Sequence, residues 1–325
     1  MKVLVSCVSE NRPDWFSKAY GLAFSVRELG GRLSTARVVV NFVDAVEPRF
    51  ARRLEELDAE VRVIERVDDR NAFANKLRML ELAENDDFDV LAQLDCDTIV
   101  VGDFSEHLST ERIGAKPADY DRLTDREWRR MFAGLGITPP QRTLTATATG
   151  RPMYPYFNSG VLFVPRQLCT ELRRVWELYH SRVLELFRHD GHVIPRHWQW
   201  QVNQYSLAAA LLNESLPHTT LPVSINFPTH IPVHPSVLDA ATQPLILHYH
   251  QEIDSRGFLM RSRHPLADPY LDRFNARLAA AMDIPYRGVP SRPRAEALRR
   301  TLRQRFWSTL AKRHRVKGHL SRLIR

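Results

Sequence analysis

The stretch "VLAQLDCDTIVVGDF", residues 90–104, decides the fold and raises the question of function. Its apolar run predicts a buried β-strand, yet Asp95 and Asp97 stand near its middle. Burying a carboxylate is costly unless the group is paired or binds a cation. Two carboxylates on one side of an extended strand suit a hard divalent cation that also takes phosphate oxygens. On this short motif alone, the better explanation is that one Asp caps a turn and the other is solvated.

Apolar strands alternate with helices over the first hundred residues, which predicts an α/β fold with a mostly parallel sheet flanked by helices. The expected strands are "KVLVSCV", "RVVVNFV", "EVRVIE" and "DVLAQLDCDTIVV", and the expected helices are 15–29, 48–57 and 73–84. Ligands of such open sheets bind outside the carboxyl ends of the strands. Asp95 and Asp97 lie towards that end of the fourth strand.

The pattern is less regular after residue 104. Residues 119–152 are polar, with two adjacent prolines, and are expected to be irregular. "YFNSGVLFV" predicts a further strand, and helices are expected over 166–187 and in "WQWQVNQYSLAAALL". "LPVSINF" and "PLILHYH" predict short strands. The second of these ends with His248 and His250, which are two apart and share a side. One His with two Asp is a sensible ligand set for a divalent ion, and imidazole shifts the preference from Mg²⁺ towards Mn²⁺.

The positive charge of the chain is concentrated at its C-terminus. The net charge is +8, while residues 291–325 carry 12 Lys/Arg against the single acidic residue Glu296. An apolar stripe recurs there at four-residue steps: Leu298, Leu302, Phe306 and Leu310. We expect a basic amphipathic helix that lies on an anionic membrane surface. Nucleic-acid binding is the competing interpretation, and the apolar stripe makes it unlikely.

Cysteine use and hydropathy bear on the compartment. The three cysteines, Cys7, Cys96 and Cys169, form no C-x-x-C pair, which favours a reducing compartment. No apolar stretch has the length that a membrane span needs, and "MKVLVSCVSENRP" predicts a first strand rather than a signal peptide. The expected location is therefore cytoplasmic, with peripheral attachment to the inner face of the membrane through the basic tail.

The block "FANKLRMLELAENDDFDVLAQLDCDTIVVGDFSEHL" resembles the centre of the glycogenin-like, retaining sugar-nucleotide glycosyltransferases, which include lipooligosaccharide galactosyltransferases. Further similar blocks follow the family's order: "AYGLAFSVREL", "YFNSGVLFVPR", "NQYSLAAAL" with "LPVSINF", and "LHYH". The resemblance runs from about residue 2 to 255. It implies a GT-A type, Rossmann-like domain over 1–285, with a nucleotide-binding half over about 1–104 and an acceptor half over about 105–285. The Pro/Gly linker and basic tail then occupy 286–325.

The resemblance implies a metal-dependent hexosyltransferase that moves a sugar from a nucleotide-diphosphate donor, a UDP-sugar, to a glycan or lipid-linked acceptor with retention. Asp95, Asp97 and His248 would bind Mn²⁺ or Mg²⁺, which bridges the donor diphosphate. Gln204, with Asn203, would stand beside the anomeric carbon. His250 remains the alternative to His248.

The resemblance also implies residues that contact the donor. Lys76 would add positive charge near the nucleotide, and the run Asn158, Ser159 and Gly160 would line the sugar pocket. Ser9, Glu10 and Asn11, at the end of the first strand, would face the base and ribose. For each of these, a purely structural role is the competing interpretation: a solvated helix lysine, a small-residue kink in a strand and an ordinary loop.

The sequence departs from the family pattern in two places. Asn203 replaces the usual Asp, and the Lys-Pro-Trp that normally follows the His segment is absent. Arg256 and Arg261 have the right charge to contact the diphosphate instead.

Two other functions compete with the transferase. A haloacid-dehalogenase-type phosphatase also places Asp-x-Asp after an apolar strand, but there a Gly-Thr follows, usually near the N-terminus. A non-catalytic sugar-nucleotide-binding adaptor at the membrane surface is the second alternative. The retained Asp95, Asp97 and His248 argue against it. Trp198 and Trp200 could stack on an acceptor sugar, although aromatic residues at a helix start are more often core.

Overall fold

The computed structural model describes residues 1–189, 201–214 and 216–291. The strands are β1 (Val3–Glu10), β2 (Arg37–Val43), β3 (Ala59–Ile64), β4 (Val90–Leu94), β5 (Thr98–Val100), β6 (Ile113–Pro117), β7 (Leu144–Thr145), β8 (Pro152–Met153), β9 (Phe157–Pro165), β10 (His218–Thr220), β11 (Ile225–Pro228) and β12 (Ile246–His248). The α-helices are α1 (Pro13–Leu29), α2 (Pro48–Glu55), α3 (Leu82–Asn85), α4 (Asp125–Gly134), α5 (Arg166–His189), α6 (Val202–Asn213) and α7 (Asp268–Ala281). Short 3₁₀ helices cover Gly31–Leu33, Ser105–His107, Pro235–Val237 and Pro265–Ala267, and a longer one covers Ala72–Glu81.

A seven-stranded sheet in the order β10-β6-β9-β4-β1-β2-β3 forms the centre of the molecule. Strands β3, β2, β1 and β4 are mutually parallel, β9 runs antiparallel to β4 and β6, and β10 is parallel to β6. This mixed, mostly parallel sheet with flanking helices confirms the predicted α/β class.

Helices cover both faces of this sheet. Leu4 and Leu91 point into a core shared with α5 and α6, while Val5 and Ala92, one residue further on, point into a core shared with α1 and α2. Because successive strand residues face opposite sides, burial on both faces explains why the strands are continuous apolar runs rather than alternating ones.

The strand predicted through Asp95 and Asp97 is wrong as a continuous element. The chain leaves β4 after Leu94, turns through residues 95–97 and enters β5, which belongs to a separate three-stranded sheet in the order β11-β12-β5. The turn closes because the Asp95 carbonyl accepts hydrogen bonds from the Thr98 amide at 3.0 Å and the Thr98 hydroxyl at 2.7 Å. Antiparallel pairing of β5 with β12 then fixes the new direction.

Three other differences concern helices. Residues 72–81 form a 3₁₀ rather than an α-helix, packed between β1 and α5, with Phe73 exposed. The region expected to be irregular contains α4, which begins with a capping box between Thr124 and Glu127. Helix α7, which the sequence did not indicate, packs against α1 and closes a third core under the small sheet.

The predicted linker and basic tail fall mostly on residues 292–325, and Trp198 and Trp200 fall within 190–200. Both segments lie outside the described residues, so the domain boundaries remain a prediction. Among the residues that the structure does describe, no helix combines the length and apolar content that crossing a membrane requires.

Candidate active site

The turn at residues 95–97 lies where the large and small sheets meet. The Asp95 amide donates to the Gly160 carbonyl of β9 at 2.7 Å. The Asp97 carbonyl accepts from the amide of Tyr249, which directly follows β12, at 3.0 Å. Each carboxylate is thus anchored through its own backbone to a different strand. The side chains of Asp95 and Asp97 remain partly accessible, at 22% and 19%, at the carboxyl end of β4.

His248 faces both carboxylates. Its Nε2 lies 3.2 Å from Asp97 Oδ1 and 4.0 Å from Asp95 Oδ2, and its Nδ1 lies 2.9 Å from the side-chain oxygen of Asn226. Because an amide oxygen only accepts, Nδ1 carries the proton and donates to Asn226. The Nε2 atom is buried and makes no hydrogen bond. This is the arrangement of a metal-binding imidazole, in which one nitrogen is fixed by a neighbour and the other is free to coordinate.

The electrostatics of this group favour a cation. Burial alone would lower the pKa of His248, but the negative charges of Asp97 and Asp95 outweigh it and raise the pKa. Burial would likewise raise the pKa of Asp97, yet the nearby positive charge of His248 holds it well below its usual range. The two carboxylates therefore favour positive charge at this place.

Lys76 contacts the same carboxylate pair from the other side. Its Nζ lies 2.5 Å from Asp95 Oδ1 and 3.3 Å from the Ser159 carbonyl oxygen. The Ser159 hydroxyl accepts from the Asn203 side chain at 2.6 Å. Asn203 is fixed in turn, because the Trp176 indole donates to its carbonyl at 2.9 Å. Gln204 is the next residue of α6 and is half-buried. The structure thus connects the expected donor-site residues of β9, α6 and the 3₁₀ helix.

Gly160 is required by close packing. A Cβ built at this position would lie 2.6 Å from the His248 ring and 3.0 Å from Asp95 Oδ2. The Gly160 amide donates to the Asn158 side-chain oxygen at 2.8 Å. β9 can therefore pass directly behind the carboxylate–imidazole group only because residue 160 has no side chain.

The remaining residues that were expected to contact the sugar-nucleotide donor or its diphosphate make local contacts within the chain. Ser9, Glu10 and Asn11 lie at the carboxyl end of β1, next to β4. There Arg66 pairs with Glu10 at 3.3 Å, and Asn11 accepts from the Glu47 amide at 2.9 Å. The two candidate arginines also have local partners: Arg256 pairs with Asp254 at 2.9 Å, and Arg261 lies 3.7 Å from Asp268.

Sequence reasoning missed a buried ion pair beside the donor site. Lys116, at the end of β6, is 1% exposed and donates to Asp119 at 2.7 Å and to Thr147 at 2.9 Å. Asp119 also lies 3.5 Å from the Asn158 amide nitrogen. Burial would raise the pKa of Asp119, but Lys116 outweighs it and lowers it. A lysine inside the apolar run "IGAKPA" was the available signal.

Asn226 and His230 were also missed. Asn226 follows the start of β11 and has a positive φ of 127°, so its contact with His248 depends on a backbone conformation that sequence patterns do not indicate. The His230 ring lies against that of His250, with 3.8 Å between the centroids. Burial lowers the pKa of His230 to about 4.

A family model and several solved structures match the chain. Residues 12–211 match the Rhodobacterales glycosyltransferase domain. No curated protein matches significantly. The galactosyltransferase LgtC, solved with donor and acceptor sugar analogs, is 16% identical over 76% of this chain and 87% of its own, with a TM-score of 0.49. GlyE of Streptococcus pneumoniae TIGR4 is 13% identical over 88% of this chain and 66% of its own, with a TM-score of 0.47. Mouse xyloside xylosyltransferase 1 is 13% identical over 77% of this chain and 98% of its own, with a TM-score of 0.46. At TM-scores below 0.5 these likenesses add nothing to the family match.

Proposed function

The chain belongs to the Rhodobacterales glycosyltransferase domain family, and on that premise we propose that it is a metal-dependent hexosyltransferase. It moves a sugar from a nucleotide-diphosphate donor, a UDP-sugar, to a glycan or lipid-linked acceptor. The observation that carries the proposal is the convergence of Asp95, Asp97 and His248 at the carboxyl end of β4, with the His248 Nε2 buried and lacking a hydrogen bond. Ligands of open α/β sheets bind at this edge.

Asp95, Asp97 and His248 are the proposed ligands of Mn²⁺ or Mg²⁺. The donor set fits a divalent ion, because it offers two carboxylates and an imidazole whose Nε2 has no other partner. When bound, the ion neutralises the charge that develops on the leaving diphosphate. Asn226 orients His248 for this role through its hydrogen bond to Nδ1.

The donor is held by groups on either side of the turn. Asn158, Ser159 and Gly160 line the sugar pocket, and Lys76 adds positive charge beside the diphosphate, within reach of both Asp95 and Ser159. Ser9, Glu10 and Asn11 form the base and ribose side of the site. Gln204 and Asn203, on α6, lie beside the anomeric carbon.

The proposed stereochemical course is retention by a front-face reaction. The bond between the anomeric carbon and the diphosphate oxygen breaks, and its electron pair leaves with the diphosphate. The acceptor oxygen bonds to the anomeric carbon on the same face, and its proton passes to the leaving diphosphate. An amide at residue 203 cannot supply a carboxylate nucleophile. Of the two carboxylates that could serve an inverting enzyme as base, Glu252 is 1% exposed and Asp254 is paired with Arg256 at 2.9 Å.

The decisive experiment is a screen of sugar nucleotides for hydrolysis and transfer, with Mn²⁺ and with a chelator. We expect slow metal-dependent hydrolysis of a UDP-sugar, and an α-linked first product by proton NMR from an α-linked donor. A β product before any scrambling would refute retention and leave the metal site standing. Donor binding without turnover would instead favour the adaptor, and release of inorganic phosphate from a phosphomonoester would favour the phosphatase.

The basic tail is proposed to hold the enzyme on the cytoplasmic, inner face of a membrane. Each Lys or Arg near an anionic surface contributes about 1 kcal/mol at low salt. Changing Arg299 and Arg300 together to Gln should therefore reduce sedimentation with anionic vesicles, while Arg52→Gln with Arg53→Gln, on α2, serves as the charge-matched control. Equal sedimentation of both proteins would refute the membrane contact.

A further inference from the structure

His250 lies against the proposed metal group, although the family resemblance implied only one histidine there. Asp97, His248 and His250 each place a ligand atom within 4.8 Å of the others. The His250 ring stacks on that of His248, with 4.0 Å between the centroids and 13° between the planes. Its Nδ1 is 3.8 Å from Asp97 Oδ2. Both histidines therefore face the same carboxylate.

The backbone at His250 is strained in a way that keeps this ring in place. Its φ is +55°, a left-handed conformation that non-glycine residues seldom adopt. The preceding residue, Tyr249, is buried, and its amide is bonded to the Asp97 carbonyl. Of the five non-glycine residues with positive φ in the described chain, two, Asn226 and His250, contact His248. Strain of this kind concentrates at functional sites.

His250 also has a ring nitrogen that lacks a hydrogen-bond partner. His250 Nε2 and His230 Nδ1 are both buried and make no hydrogen bond. The two rings meet at 67°, so His230 limits the rotation of His250 from the side away from His248. A buried ring nitrogen that makes no hydrogen bond costs free energy, although the His250 side chain as a whole is 39% exposed.

We propose that His250 is an additional ligand of the metal ion, so that two imidazoles contact it together with the carboxylates. The inference rests on the proposed function, because it concerns the same ion. Mg²⁺ prefers oxygen ligands and retains its waters, whereas Mn²⁺, Co²⁺ and Zn²⁺ accept imidazole readily. The second imidazole makes the site discriminate against Mg²⁺.

The test measures metal binding to the full, metal-stripped chain without any substrate. Mn²⁺ affinity is followed by electron paramagnetic resonance and Mg²⁺ affinity by competition, and pulsed measurements count the nitrogens bound to Mn²⁺. We expect two coordinated nitrogens in the wild type. His250→Gly, which also relieves the backbone strain, should leave one nitrogen and weaken Mn²⁺ binding about 10-fold or more. Mg²⁺ binding should weaken far less, so the Mn²⁺/Mg²⁺ affinity ratio falls.

Two further variants sharpen the result. His250→Asn tolerates the same backbone and offers an amide oxygen, so it should lower the affinity ratio while keeping Mg²⁺ binding. His230→Ala should keep both nitrogens, and His107→Ala, on a separate 3₁₀ turn, should match the wild type. One nitrogen in the wild type, or an unchanged ratio in His250→Gly, overturns this inference alone. A wild-type chain that binds no Mn²⁺ overturns the proposed metal site together with it.

Discussion

Two regions of the molecule meet at Asp95 and are stabilised in different ways. The first comprises the parallel strands β3, β2, β1 and β4, and the second the short strands β11, β12 and β5. The parallel strands are five to eight residues long; β1, β2 and β4 are mostly buried between helices, and β3, at the edge, is half-buried. The short strands have three or four residues each and include the positive-φ residue Asn226. Regular pairing and apolar burial determine the first region, whereas the second combines an apolar core with single polar contacts that place His248.

This difference separates what stabilises the chain from what the chain does. The parallel region can lose one side chain and keep its geometry, because many apolar contacts and backbone hydrogen bonds stabilise it together. In the small sheet, His248 has one orienting hydrogen bond, and its place depends on a glycine in β9. We therefore expect variants of the two regions to affect different measurements.

The largest effect should come from the turn between the two regions. Asp97→Asn should lower the transfer rate by about 10³-fold or more, because a lost ligand removes several kcal/mol of charge stabilisation in the transition state. Any fall in the thermal midpoint should be small beside the rate loss, because the hydrogen bond from the Tyr249 amide to the Asp97 carbonyl is unaffected. Asp95→Asn and His248→Ala should lower the transfer rate in the same way. Full activity of Asp97→Asn in Mn²⁺ would remove the basis of the metal assignment.

A core variant of the preceding strand should show the opposite pattern. Leu91 is fully buried in β4, and its truncation to Ala should cost about 2–5 kcal/mol of unfolding free energy. The folded fraction should transfer sugar at nearly the wild-type rate, since Leu91 lies four residues before Asp95. Urea unfolding and kinetics at low temperature would measure both quantities. A rate loss comparable to that of Asp97→Asn in folded protein would mean that the two regions are not independent.

The sequence predicted the parallel region well for the same physical reason. The run "RVVVNFV" is the whole of β2, because continuous apolar sequence and strand burial coincide there. The break after Leu94 was not predictable, since β5 leaves the large sheet to pair with β12, about 150 residues away in the chain. Local pattern carries no information about such pairing. Helix α4 was missed despite a legible Thr124–Glu127 capping signal.

The site was predicted from resemblance rather than from pattern. Asp95, Asp97, His248, Lys76 and the Asn-Ser-Gly run do converge in the structure. Their roles in catalysis remain a prediction. The contact by which Asn226 orients His248 could not be foreseen, because it depends on the positive φ of Asn226 and on a hydrogen bond between two side chains.

A third variant tests that contact. Asn226→Gly keeps the freedom to adopt positive φ and removes the amide that orients His248, so Mn²⁺ affinity should fall by about 10- to 100-fold. Asn226→Asp is the matched control, because a carboxylate can still accept from the His248 Nδ1. Calorimetric titration with Mn²⁺ would compare the three proteins. Equal affinity of Asn226→Gly and wild type would show that the small sheet positions His248 without this contact.

The smallest effect concerns buried charge in the parallel region itself. Asp86, just before β4, is buried and accepts two hydrogen bonds from Arg62, at 2.8 and 2.9 Å, and pairs with Arg37 at 2.7 Å. Asp86 precedes β4 and Arg37 begins β2, at the amino ends of the strands and opposite the site, while Arg62 lies within β3. The hydrogen bonds from Arg62 and the charge of Arg37 outweigh burial and lower the pKa of Asp86. Charge here should therefore stabilise the fold and leave activity unchanged.

The pH dependence fixes the sign of that prediction. Because the pKa of Asp86 is lower in the folded than in the unfolded chain, its stabilisation is complete above about pH 4, the unfolded pKa, and is lost as pH falls through the folded pKa. Asp86→Asn should cost about 1.5 kcal/mol near pH 7, and the difference from wild type should shrink below pH 4. Asp87→Asn, whose carboxylate is exposed beside Lys2, should cost far less. Transfer by folded Asp86→Asn at the wild-type rate would separate this buried charge from the carboxylates of the site. A rate loss without a stability loss would show instead that the amino ends of the parallel strands take part in function.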